Sequence, residues 1–330
     1  MTTHPSQRRV AVATRPGAPD VLELHDEPLA PLNAGEVLVR VEAVGLNHVE
    51  NLVRAGDYAV QFPFPYAAGL EGAGVVVETG PDVDIASGTR VCWTAVFGSC
   101  ATFVVAPAAM LARLPHQLSF EDGASLAHAG VTAAGLVRHW PVPDGAVALV
   151  WGAAGAVGLV LVAMLAERGV TVIGVASGAR VEAVKAAGAA VVIDRTREDV
   201  REVVRAAAGG RGVSVVFDPV GEATYRTSLE VLAPRGCLVN YGQLSGTLPP
   251  VEFSDLMQAG SIFVTKYGPR AGIVGRDDVG RFGSEALTLA CTRRLVGGTP
   301  ARFGLERVVD AYTQLGAHPE GKVIVLPHGA

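Results

Sequence analysis

The chain has 330 residues, 49% of them hydrophobic and 18% charged, which is the balance of a folded protein with a sizeable core and not of a disordered segment. A net charge of −5, with no Lys/Arg-rich block, argues against a nucleic-acid partner. The longest apolar stretch, residues 156–166, is too short to span a bilayer, and the first residues lack an apolar core of signal-peptide length, so no membrane partner and a cytoplasmic location are expected.

Strand signals open the chain at 10–13, 22–27 and Glu36–Gly45. In the last of these Val37, Val39, Val41 and Ala43 alternate with Leu38, Arg40, Glu42 and Val44, the period of a sheet. Further strands are expected at 75–78, 90–93 and 102–107, separated by Gly- and Asp-containing turns, which suggests a barrel-like, largely antiparallel lobe. A helix follows over 121–138, closed by Pro141 and Pro143.

From 146 onward strand and helix signals alternate. Strands are expected at 146–151, 170–175, 190–193, 213–217, 236–240 and 261–265, with helices at 157–168, 179–187, 197–208 and 222–232 between them. The strands are almost wholly apolar, as in a parallel sheet covered by helices on both faces, so a doubly wound α/β domain is expected. Helical patterns at 287–295 and 308–315 precede a terminal strand, 321–326, expected to dock back onto the first lobe.

The sharpest motif is Gly152-Ala153-Ala154-Gly155-Ala156-Val157-Gly158, set between a strand and a helix. Small residues let the chain turn sharply, backbone N–H groups face a diphosphate, and the positive helix end stabilises its charge. Ala154 stands where a strict Gly-x-Gly-x-x-Gly pattern has its second glycine; a purely structural turn is the alternative reading.

A site for NAD normally carries Asp or Glu at the end of the second strand to bind the ribose hydroxyls. Here that segment contains Ser177 and Arg180 and no carboxylate, and Arg195 follows the third strand. These groups suit a 2′-phosphate, so the expected cofactor is NADPH. Val220, Gly221, Tyr241 and Gly242, at the ends of the fourth and fifth strands, are expected to line the nicotinamide and ribose side, with Asp218 a strand-end hydrogen-bonding residue.

Asn47–Glu50 leading into Arg54-Ala55-Gly56-Asp57-Tyr58, Gly69-Leu70-Glu71-Gly72-Ala73-Gly74, Val131-Thr132-Ala133, the 152–158 turn, Phe217-Asp218-Pro219-Val220-Gly221 and the closing Gly321-Lys322-Val323-Ile324-Val325-Leu326 occur in an order that resembles the zinc-free quinone oxidoreductase and enoyl reductase branch of the medium-chain dehydrogenase/reductase superfamily. The resemblance implies a GroES-like, barrel-type catalytic domain (1–122), a Rossmann NADPH-binding domain (123–264), a carboxyl-terminal return to the catalytic domain (265–330) and a homodimer. It implies hydride transfer in a cleft from the nicotinamide to a quinone, an enone or another activated double bond. A reductase of enoyl thioesters or of a specialised biosynthetic intermediate is the alternative, and a non-catalytic NADPH-binding regulatory protein is the alternative from another class.

Zinc-dependent relatives carry Cys near 47 and His near 70, where this chain has Asn47 and Leu70. The four cysteines, 92, 100, 237 and 291, lack the close spacing of a structural zinc lobe, so no metal is expected. Tyr58 takes the position of the tyrosine that zinc-free enoyl reductases are thought to use as proton donor. Asn47 is the second catalytic candidate and also a contact for the nicotinamide ribose, the substrate oxygen or a water. Thr132 matches the family's Thr-Ala pair and is assigned to the cofactor. His48 and Glu50 are read as surface or cleft-edge residues. Trp93, Phe97 and Tyr66 are read as an apolar roof or as core packing.

Overall fold

The computed structural model describes residues 5–58, 62–268, 276–317 and 319–329. The chain forms two compact units, Met1–Val131 with Gly275–Cys291 and Gly298–Ala330, and Thr132–Val274 with Thr292–Gly297.

The first unit starts with β1 (Gln7–Ala13), β2 (Leu22–Pro28) and β3 (Glu36–Gly45), followed by α1 (His48–Ala55). Then come β4 (Tyr66–Ala67), β5 (Glu71–Thr79), β6 (Arg90–Thr94), β7 (Phe103–Pro107), β8 (Leu111–Arg113) and α2 (Phe120–His139), whose second half lies in the other unit. Strand β3 is central: it pairs antiparallel with β5 along one edge and with β7 along the other. Two register shifts in the β3–β5 ladder bend the sheet, as bulges do. Val37, Val39 and Val41 have no exposure, as the alternation requires, while on the other face Leu38 and Val44 are buried and Arg40 between them is exposed.

The second unit alternates β9 (Val147–Val150), α3 (Ala156–Glu167), β10 (Thr171–Ala176), α4 (Val181–Ala187), β11 (Val191–Asp194) and α5 (Val200–Ala207). It continues with β12 (Val213–Asp218), α6 (Tyr225–Val231), β13 (Leu232–Asn240), α7 (Phe253–Gln258) and β14 (Phe263–Lys266). All six strands run parallel in the order β11-β10-β9-β12-β13-β14, the doubly wound arrangement. Helix α3 is apolar all round and buried from Gly158 to Leu165, which is why it lies against the sheet with no polar stripe.

The chain re-enters the first unit through α8 (Arg276–Ala290), β15 (Ala301–Gly304), α9 (Val308–Gly316) and β16 (Val323–Leu326). Strand β16 pairs antiparallel with β3 and parallel with β15. The helix expected at 287–295 ends at Ala290 and begins at Arg276. Helices α1 and α7 and the short strands β4, β8 and β15 have no counterpart in the periodicity analysis. Among the described residues no helix is long and apolar enough to cross a membrane.

Candidate active site

In the second unit, the 152–158 segment forms a tight turn from β9 into α3. Gly155 is the N-cap, no side chain caps the first turn, and the N–H of Gly155 bonds back to Gly152 at 2.9 Å. A Cβ at Gly158 would lie 2.4 Å from the Gly152 carbonyl oxygen, so only glycine lets the helix approach the turn this closely. Gly155 and Ala156 are exposed, Ala154 and Val157 half-buried and Ala153 buried, which leaves the backbone amides of the helix start facing outward.

Beside this turn the tips of β10 and β11 lie together. Arg195 Nε donates to Ser177 Oγ at 3.3 Å, and the Arg195 N–H bonds to the Ala176 carbonyl. Arg180 sits in the turn after Ser177, with its N–H on the Ser177 carbonyl, and its guanidinium makes no hydrogen bond or ion pair among the described residues. Asp194, unremarked in the sequence, organises the corner: its Oδ1 accepts from the Gly178 and Thr196 N–H groups and from the Thr196 hydroxyl. These bonds, led by the hydroxyl, hold its carboxyl below the usual range.

The strand ends carry the remaining predicted cofactor residues. Asp218 is buried at the end of β12 and accepts from Val220 N–H and Gly221 N–H, the strand-end role expected of it. Burial raises its pKa against those bonds. The hydroxyl of Tyr241 is buried and has no partner among the described residues, and desolvation pushes its pKa well up. A buried hydroxyl without a partner costs stability unless a ligand supplies one. The open helix amides, the cationic corner and this orphaned hydroxyl, all in one unit, fit a phosphorylated dinucleotide. Thr132 is half-buried on α2.

In the first unit a buried polar network surrounds Asn47. Its Nδ2 donates to Glu71 at 2.8 Å and to the Gly45 carbonyl, and its Oδ1 accepts from the Lys322 ammonium at 2.9 Å. Lys322 also donates to Glu71 at 2.9 Å, and the other Glu71 oxygen accepts from the His128 backbone N–H at 2.6 Å. Glu71 has no solvent exposure, so the lysine is the cation that makes its burial tolerable. Burial lowers the pKa of His128, whose Nδ1 lies 3.1 Å from Thr94 Oγ1.

Glu50 is not a surface or cleft-edge residue: at 5% exposure it is buried. It accepts from the Asn47 N–H at 2.9 Å, which fixes the start of α1, and from the Tyr312 hydroxyl of α9 at 2.7 Å. Desolvation raises its pKa to about 7, against those two bonds and the nearby Lys322. Tyr58 follows α1, half-buried, with its N–H on the Leu52 carbonyl.

Of the two readings of the aromatic residues, core packing holds for Trp93. Trp93 is 1% exposed with its indole N–H on Ser99 Oγ, so it belongs to the core. Phe97 and Tyr66 instead pack with Phe62, at ring separations of 5.0 and 6.3 Å. The sequence signal for this network is a lysine and a glutamate, Lys322 and Glu71, inside otherwise apolar segments. Among the described residues no three His, Cys, Asp or Glu side chains are grouped to hold a metal ion.

Two family models match the chain, the alcohol dehydrogenase GroES-like domain over residues 33–116 and the zinc-binding dehydrogenase model over residues 156–268. A 2-haloacrylate reductase from Burkholderia is 32% identical over 96% of this chain and 98% of its own length. A quinone oxidoreductase from Pseudomonas aeruginosa is 33% identical over 94% of this chain and 97% of its own. The structure of Escherichia coli quinone oxidoreductase complexed with NADPH superposes with a TM-score of 0.83 at 28% identity, covering 97% of this chain and 100% of that one. With its GroES-like and doubly wound units and relatives matched along nearly its whole length, the chain belongs to the quinone oxidoreductase branch of the medium-chain dehydrogenase/reductase superfamily.

Proposed function

We propose that this enzyme is an NADPH-dependent, zinc-independent reductase of small conjugated acceptors, quinones or activated alkenes such as enones. The observation that carries the cofactor assignment is the corner where Arg195 meets Ser177 beside the unpaired Arg180. Two guanidinium groups and a hydroxyl there suit a 2′-phosphate, and no carboxylate stands at the end of β10 to favour the free ribose. The names of the relatives, a quinone oxidoreductase and a 2-haloacrylate reductase, support the acceptor class.

The 152–158 amides and the start of α3 would hold the diphosphate, and the 220–221 and 241–242 backbones would support the nicotinamide side. When bound, the dihydronicotinamide supplies the hydride. Tyr58 donates a hydrogen bond, and then a proton, to the charge that develops on the acceptor. Asn47 positions this side of the unit through Glu71 and Lys322 rather than titrating. Zinc independence rests on the same contacts: Lys322 already supplies the positive charge beside Glu71, next to an amide and a leucine where metal-binding relatives have ligands.

We further propose a homodimer. Strand β14 ends the parallel sheet, and Phe263 on it, with Phe253 and Met257 of α7, is exposed at 58%, 88% and 69%. A second copy paired edge to edge covers these side chains.

The acceptor assignment is tested by steady-state kcat/KM with NADPH across matched quinones, enones and enoyl thioesters. A clear preference for quinones or enones supports it. Preference for enoyl thioesters moves the assignment to a biosynthetic reductase, and cofactor binding without turnover moves it to a regulatory protein.

A further inference from the structure

In the second unit the ends of three neighbouring strands, β12, β13 and β14, are laced into one block. Besides its two backbone donors, Asp218 accepts from the Thr224 hydroxyl at 2.7 Å. The Asn240 side chain donates to the Asp218 carbonyl at 3.1 Å, and the Tyr241 N–H bonds to the same oxygen at 2.8 Å. The following segments interlock, with Leu244 N–H on the Pro219 carbonyl and Ser245 N–H on the Val220 carbonyl. A Cβ at Gly242 would fall 2.4 Å from the Pro219 oxygen, so glycine alone permits this contact.

The last residue of β14 closes the block. Lys266 Nζ donates to Asn240 Oδ1 at 2.6 Å and to the Gly242 carbonyl at 2.9 Å. Lys266 is exposed; partial desolvation still lowers the pKa of its ammonium while the nearby Asp218 raises it, and among the described residues it forms no ion pair. The sheet does not need these bonds: β13 and β14 already share a four-residue ladder, extended by the Tyr267 N–H on the Asn240 carbonyl. What Lys266 adds is a fixed path for Asn240-Tyr241-Gly242, the segment that carries the orphaned Tyr241 hydroxyl.

We infer that Lys266 is a positioning residue for the cofactor, holding the 240–242 backbone so that the nicotinamide half of NADPH is oriented for transfer. This rests on the proposed placement of the nicotinamide beside that segment. Without the ammonium, the Gly242 carbonyl and Asn240 amide lose their shared donor, the segment gains freedom, and ordering it on binding weakens affinity for that half of the ligand alone.

The test compares wild type with Lys266→Met and Lys266→Arg, measuring by calorimetry the Kd of NADPH and of adenosine 2′,5′-bisphosphate, which represents only the adenosine half. The Met variant is expected to bind NADPH about tenfold more weakly, with lower kcat, while the adenosine ligand stays within about twofold and the Arg variant recovers most of the loss. Equal weakening of both ligands, or of neither, overturns the inference. If the Met variant does not fold, Lys266→Gln is held to the same comparison. Wild-type protein that binds neither ligand instead overturns the cofactor assignment itself.

Discussion

The Lys322 ammonium and the Glu71 carboxylate lie 2.9 Å apart in the first unit, with side-chain exposures of 8% and 0%. The pair joins the segment before β16 to the first residue of β5, and Asn47 completes it from the start of α1. Removing one partner of such a pair strands a buried charge. Lys322→Met is therefore expected to destabilise the protein by about 3–5 kcal/mol, and adding Glu71→Gln is expected to restore a large part of that. Urea unfolding of both single variants and the double variant checks this; strictly additive losses would refute the coupling.

Glu50 predicts a pH dependence. Burial favours its neutral form, so the folded protein retains a proton that the unfolded chain has released. Stability contributed by this group is full below the ordinary value of 4.5, falls as pH rises, and levels off past about 7. The span corresponds to on the order of 3 kcal/mol. Glu50→Gln should lose this dependence, so the variant gains on wild type as pH rises; parallel stability curves for the two proteins would contradict the assignment.

Tyr241→Phe separates folding from binding. Because the Tyr241 hydroxyl is buried without a partner, its removal should leave the melting temperature of the ligand-free protein unchanged or raised. The same change should weaken NADPH binding by about fivefold if the cofactor supplies the missing partner. A lower melting temperature with unchanged NADPH affinity would show that the hydroxyl serves the fold.

The edge of the parallel sheet makes a prediction about assembly. Phe263→Lys combined with Phe253→Asp places charge on the exposed apolar face while disturbing little of the core. Sedimentation should show a dimer for wild type and a monomer for the double variant. A wild-type monomer would remove the homodimer proposal.

The second unit was legible because its physics is local. Apolar strands, intervening helices and the 152–158 turn each announce themselves within about ten residues of sequence, and the strands join in one parallel sheet. The first unit was less so. Helix α1 is fixed by Glu50, whose two partners, the Asn47 N–H and the Tyr312 hydroxyl, are 3 and 262 positions away. Lys322 reaches Glu71 across 251 positions, a relationship that no periodicity can reveal. In sequence the Asp194 carboxylate reads as a solvated strand end, because one of its three donors, the Gly178 N–H, lies 16 positions away.

Cofactor selectivity tests the account most directly. With a responsive acceptor, kcat/KM should favour NADPH over NADH by about 100-fold or more, since two charge-assisted contacts to a phosphate are together worth roughly 3 kcal/mol or more. In Arg180→Ala/Arg195→Ala the preference should collapse through loss of NADPH efficiency, with NADH little changed. Equal use of the two cofactors by the wild-type enzyme, or a preference that survives the loss of both arginines, would contradict the assignment of this corner to the 2′-phosphate.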